Sequence, residues 1–208
     1  MKDYLLDIVK HTHNLGFINL VKVSGDASTT NFEGLADDRS VILQGIILRI
    51  PEYDDKSNIS INKQERNGEE VPVGIHFENA AGDFKNDYRF MSSEIINEKL
   101  KTVKMREVNW GIQFEPSLAS IQRFKFMISA NSEETTFIAK TEDSDLKFFF
   151  GDHSTHAGNF VFQPSVTGTL NRAWAWPVEQ VSKILSLGGD VKCKFSDDGV
   201  AEIVVDSG

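Results

Sequence analysis

The chain alternates between short stretches of helical period and short stretches of period two, and it does so twice. Leu5, Leu6 and Val9 fall at helical spacing within residues 3–13, with Thr12 or His13 completing the stripe, and Lys2 and Lys10 lie off it. Gly16 is the expected stop. "FINLVKVSGD" then alternates as a strand that ends at Gly25-Asp26. The segment from Ser28 to Leu48 is extended or mixed, and its second part fits a strand running into a short helix. "SNISINKQ", "VPVGIHFEN" and "YRFMSS" form a meander of strands joined by the turns "RNG" and "AGDFKND". Residues 92–107 lack Gly and Pro, and fit either a helix or an extended connector.

The second half restates the pattern. "VNWGIQF" reads as a strand, and Pro116-Ser117 opens a helix whose apolar face is Leu118, Ile121, Phe124 and Ile128, with Lys125 inside that stripe. "TTFIAKT" and "LKFFFGD" make a hairpin across "EDSD", and "NFVFQPS" adds a strand. Pro177 starts a further helix with Val178, Val181, Ile184 and Leu185 inward, and Gly188-Gly189 end it. Val191, Cys193 and Phe195 then share one strand face, Lys192 and Lys194 the other, before "SDDG" turns into "VAEIVV". The front of each half reads helix, loop, strand, turn. The chain therefore reads as a unit of about a hundred residues written twice, 1–106 and 107–208, each copy holding two short helices and several antiparallel strands. The expected fold class is α+β, with helices on one face of antiparallel sheet.

Composition changes this picture only at the margins. A chain of 208 residues with 40% hydrophobic content and 15 phenylalanines has the means for a sizeable core. No apolar run reaches the roughly 20 residues that a membrane-spanning helix needs, and the N-terminus does not read as a signal peptide. A single cysteine, Cys193, cannot form an internal disulfide and points to a reducing compartment. The net charge of −9 is unusual for a general nucleic-acid binder. Screening beyond about 8 Å nevertheless lets a local basic face act alone.

Candidate chemistry is sparse. No Ser-His-Asp set, paired catalytic glutamates or G-x-x-x-x-G-K-[ST] loop is present, so the chain is expected not to be an enzyme and to need no cofactor. His11 with His13, and His153 with His156 and Asp152, invite a metal reading; polar loop residues and helix-end histidines facing solvent or phosphate are the plainer alternative, and no metal is expected. Trp174 and Trp176 share parity in an extended segment, which suits sheet packing or a stacking platform for single strands. Cations on the helix faces (Lys2, Lys10, Arg123 and Lys183) would line a hole if the duplicated units closed into a ring with helices inside. A merely solvated helix face is the alternative.

Six segments carry a resemblance that covers nearly the whole chain in order. They are "IVKHTHNLGFINLVKVSG" at 8–25, "DDRSVILQG" at 37–45, "YRFMSSEII" at 88–96, "FEPSLASIQRFKF" at 114–126, "GDHSTHAGNFVF" at 151–162 and "WPVEQVSKILSLGGD" at 176–190. With these the chain resembles the sliding clamps, the DNA polymerase processivity factors, of tailed phages. The resemblance implies two processivity folds per subunit with sheets outside and helices lining the inner face, a homotrimeric ring, duplex DNA held without regard to sequence, and a DNA polymerase and clamp loader on one rim. It implies a cytoplasmic site of action in a bacterial host and no catalysis. The DNA-facing set expected on this basis is Lys2, Lys10, His13, Arg123, Lys125, Arg172 and Lys183; the partner pocket is expected at Leu100, Met105, Val204 and Val205. Two departures from the family pattern stand out: the first copy is short of a strand and inner helix near residues 46–50, and a final strand after "IVVDSG" is missing. The competing reading is a β-rich oligomeric phage structural or assembly protein without a DNA role; a third is an enzyme built on His153 and His156.

Overall fold

The computed structural model describes residues 2–26, 28–48, 58–100, 107–151 and 157–206. The chain divides into two compact units: Met1–Thr12 with Ile18–Val103, and His13–Phe17 with Lys104–Gly208. His153 and His156 lie outside the described residues, as does Met105; the side chain of Lys2 does too.

The first unit begins with helix α1 (Lys2–His11). Strands β1 (Val21–Gly25), β2 (Thr29–Leu35) and β3 (Ile42–Leu48) follow as an antiparallel sheet in the order β1-β2-β3. "VILQGIIL" is thus strand and does not turn into a helix. Its residues pair with β2 from Leu35↔Ile42 to Thr29↔Leu48, and these ladder bonds hold it extended. Ile46 to Leu48, where the first copy was expected to be shortened, belong to this strand. Ile18, Phe32 and Ala36 form a small buried core.

A second sheet, β4-β5-β6, is built from β4 (Asn58–Arg66), β5 (Glu69–Glu78) and β6 (Lys85–Arg89). Asn67 and Gly68 join β4 to β5 with φ of 55° and 83°, the two-residue turn whose twist matches a hairpin. Ser92 then caps α2 (Ser93–Lys99). The segment 92–107 is therefore helical in its first part. Among the described residues α2 follows both meanders; the stretch between them, where the duplicated pattern placed a short helix, is strand β3 up to Leu48.

On one face of that second sheet His76 Nδ1 lies 2.9 Å from Asp87 Oδ1, and its Nε2 lies 3.6 Å from Glu78 Oε2. Asn62 also donates to Asp87, and Lys85 pairs with Glu78 at 3.0 Å. The bond to Asp87 above all, then the charges of Asp87 and Glu78, raise the His76 pKa above 6.5. A raised folded value means that this stabilisation is full below the unfolded pKa and is lost as pH rises through the folded one. The expected result is an imidazole titrating above the ordinary histidine range, with hydrogen-exchange protection of β5 and β6 falling over the same interval. His76→Gln should abolish that dependence; an unchanged profile in the variant would refute it.

The second unit opens with a 3₁₀ turn at His13–Leu15. It continues through β7 (Ile112–Phe114), α3 (Leu118–Ala130), β8 (Thr136–Glu142), β9 (Asp145–Phe150) and β10 (Gly158–Gln163). The last part is β11 (Ala175–Pro177), α4 (Val178–Leu185), β12 (Asp190–Phe195) and β13 (Ala201–Asp206). Each half of this unit is a short strand, a helix and then long antiparallel strands. The two halves exchange their short strands: β11 completes the sheet β10-β9-β8-β11, and β7 completes β13-β12-β7. Neither half finishes its sheet without the other.

The run "LKFFFGD" is strand, as expected, and it buries alternate residues, Leu146, Phe148 and Phe150. Phe114, Phe124, Phe137, Phe162, Phe195 and Trp176 join them in one core. Cys193 lies in that core on β12, and burial pushes its thiol up to about 12, so it packs as an apolar residue and is no nucleophile.

Candidate nucleic-acid interface

The polar face of the second unit is built on α3 and α4, which pack against each other. Ser117 caps α3: its Oγ accepts the N–H of Ser120 at 3.1 Å, satisfying one of the free donors of the first turn. The buried stripe of α3 is Ser120, Ile121 and Phe124, with Met127 and Ile128 beside it. Leu118, expected in that stripe, is 77% exposed. Ser120 occupies the inward position with its hydroxyl hydrogen-bonded, and Leu118, about 200° away around the helix, points to solvent. Lys125 is likewise exposed, not enclosed by the apolar stripe.

Arg123 and Lys125 lie about 200° apart around the helix and so flank a solvent face that carries Gln122, Phe126 and Ser129. Among the described helices α3 alone has no acidic residue: α1 has Asp3 and Asp7, α2 has Glu94 and Glu98, and α4 has Glu179. Three of the sheet lysines of the same unit are compensated. Lys147 pairs with Glu142, Lys192 with Glu115 and Lys194 with Glu202. Arg123 and Lys125 meet no carboxylate among the described residues. In a chain of net charge −9, this helix face is a local positive field.

Lys183 is placed differently from its expected role. It sits opposite the buried stripe of α4, but Glu179 Oε1 holds its ammonium at 2.6 Å, and the ring of Phe17 lies 5.9 Å from it. The His13–Leu15 turn packs on α4, with Leu15 buried. Lys183 thus fastens the 13–17 segment to α4, and its charge is offset by Glu179. His13 is exposed within the same turn. Arg172 is exposed in the loop before β11; Asp197 Oδ1 accepts the backbone N–H groups of Asn171 and Arg172, each at 2.9 Å, and sets its place. Lys10 is exposed on the last turn of α1, in the first unit.

The tryptophan pair does not share one environment. Trp176 is buried edge-on against Phe195, while Trp174 is 42% exposed and donates its indole N–H to the carbonyl of Asp197 at 2.7 Å. No cluster of three metal-ligating side chains occurs among the described residues. Of the expected pocket residues, Leu100 ends α2 and lines a depression of about 80 Å³ with Glu33, Leu35, Ile42 and Gln44. Val204 is exposed on β13, and Val205 packs against the core of the second unit. Ser120 and Glu179 are the residues that sequence reading passed over; the regular spacing of Ser117, Ser120 and Arg123 was the available signal for the first.

No family model matches the chain, and no curated protein matches its sequence. Among solved structures the chain is similar to PCNA from Thermococcus kodakaraensis. The match covers 96% of this chain and 94% of that one, at 10% identity and a TM-score of 0.48. Among the described residues no helix is long and apolar enough to cross a membrane.

Proposed function

We propose that this chain is a sliding clamp: a ring-forming, non-enzymatic subunit that encircles duplex DNA without reading its sequence and tethers a replicative polymerase. One observation carries the reading. The acid-free helix α3 presents Arg123 and Lys125 to solvent in a strongly acidic protein, while Lys147, Lys192 and Lys194 of the same unit are paired with carboxylates. The six ordered segments that resemble phage clamps support it, and on that resemblance the ring is a homotrimer served by a clamp loader in the cytoplasm of a bacterial host. Each cation–phosphate contact is weak and exchangeable, so the ring slides; retention comes from topology. The DNA-facing set is Lys2, Lys10, His13, Arg123, Lys125 and Arg172. Lys183 contributes less, because Glu179 offsets its charge.

The deciding experiment is loading onto nicked circular and linear duplexes. The expected result is retention on the circle through a salt wash, and loss from the free ends of the linear form. Binding by local contacts alone would instead weaken with a slope of about −0.9 per neutralised phosphate on both substrates. Charge reversal at Lys10 and Arg123 together is expected to lower affinity for linear duplex and reduce the retained fraction; unchanged DNA retention would remove those two positions from the lined hole. The second reading, an oligomeric assembly protein without a DNA role, is favoured by Leu118 and Phe126, which lie exposed on the same helix face. Equal loss from circle and line would support it.

A further inference from the structure

Ser120 is 1% exposed, and a buried hydroxyl in a native fold is hydrogen-bonded. Its Oγ lies 3.2 Å from Arg123 Nη2 and 2.9 Å from Ser117 Oγ. A guanidinium only donates, so Ser120 Oγ accepts from Arg123, and either hydroxyl can supply the proton of the bond between Ser120 Oγ and Ser117 Oγ. Ser117 Oγ in turn accepts the backbone N–H of Ser120 as the helix cap. The relay runs from the guanidinium through a buried hydroxyl into the N-cap. It is possible because 117, 120 and 123 recur every third residue, which sets them one above another on the helix.

We propose that Ser120 is a positioning residue for Arg123 in polyanion binding: it holds the guanidinium at the solvent flank of α3 by one of its N–H groups and leaves the remaining donors for a phosphate. The inference rests on the clamp reading for the identity of the polyanion. An arginine pre-set in this way loses less side-chain freedom on contact than a free one. Lys125, on the other flank, has no such anchor among the described residues, so the two cations of α3 are not equivalent.

The test is a double-mutant cycle on affinity for a short linear duplex at low salt. Ser120→Ala is expected to weaken binding about five- to tenfold in the otherwise unchanged protein, the size expected for one ordinary hydrogen bond. In an Arg123→Ala background the same change is expected to have almost no effect, whereas it should act in full in a Lys125→Ala background. Ser120→Cys, which keeps the side-chain size and removes a good acceptor, guards against a folding defect and is expected to behave like the alanine variant. A merely structural role would show equal losses in all three backgrounds, and that result overturns the proposal. Intact duplex binding by Ser120→Ala, beside a clear loss in Arg123→Ala, overturns it while leaving the clamp reading standing. Failure of the unaltered protein to bind duplex or stay on circular DNA overturns both.

Discussion

Phe124→Ala is expected to destabilise the second unit by about 3–5 kcal/mol, the range for deleting a fully buried aromatic ring. Phe124 is 0% exposed and projects from α3 among the rings of Phe137, Phe148, Phe150, Phe160 and Phe162, whose centroids lie between 5.1 and 6.5 Å away. Three of these contacts are edge-to-face, the arrangement the ring quadrupole favours. The close packing leaves little room for collapse into the space the ring vacates. Tryptophan fluorescence reads this unit alone, since Trp110, Trp174 and Trp176 all belong to it. The check is a urea titration: a lower midpoint at unchanged slope is expected. Phe126→Ala, two positions along the same helix at 72% exposure, should change the stability by no more than about 0.5 kcal/mol and so leave the midpoint nearly unmoved. Equal shifts in the two variants would contradict the orientation of α3.

Gly168→Ala should be of similar size. Gly168 has φ of +96°, and a Cβ there would stand 2.0 Å from the carbonyl oxygen of Gly111. That contact is backbone against backbone, at the bridge between Gly168 and Ile112, so no side chain can rotate away. Backbone strain of about 1–3 kcal/mol and overpacking of similar size together predict a loss of about 2–6 kcal/mol. The local consequence is as informative. The bridge fixes β7, which leads through Ser117 into α3, so hydrogen exchange at Ile112–Phe114 should accelerate beyond the global change. Unaltered stability and exchange would mean that the loop does not close on β7.

Much of the second unit was legible because its signals are local and agree with one another. The apolar run "LKFFFGD", a proline and serine ahead of a helix, and two glycines after one are each sufficient clues, and their elements lie where they point. In the first unit "VILQGIIL" was harder: eight apolar-rich residues suit a strand or a buried helix equally, and pairing with β2 decided the matter. Leu118 misled because helical spacing says which residues share a face but not which face the sheet takes. Ser120 won the inward position through two side-chain hydrogen bonds that no hydropathy pattern records. Trp174 and Trp176 share parity, yet only one reaches the core; the bond from Trp174 to the carbonyl of Asp197 comes from 23 residues further along the chain.

By itself, the sequence determined the class of the protein: short helices and antiparallel strands, a phenylalanine-rich core, and an acidic whole with cations set on helix faces. Those properties depend on residues within a turn or two of each other, where period, capping and turn chemistry act directly. Only the tertiary structure decided which cations keep their charge unopposed. Arg123 and Lys125 face no carboxylate among the described residues, while Lys183 is held by Glu179 beneath a segment from the start of the chain. The exchange of β7 and β11 between the halves of the second unit was decided there too. Compensation and strand exchange depend on distance in space, and a charge a few ångströms away changes a side chain's role in a way that its position in the sequence does not express.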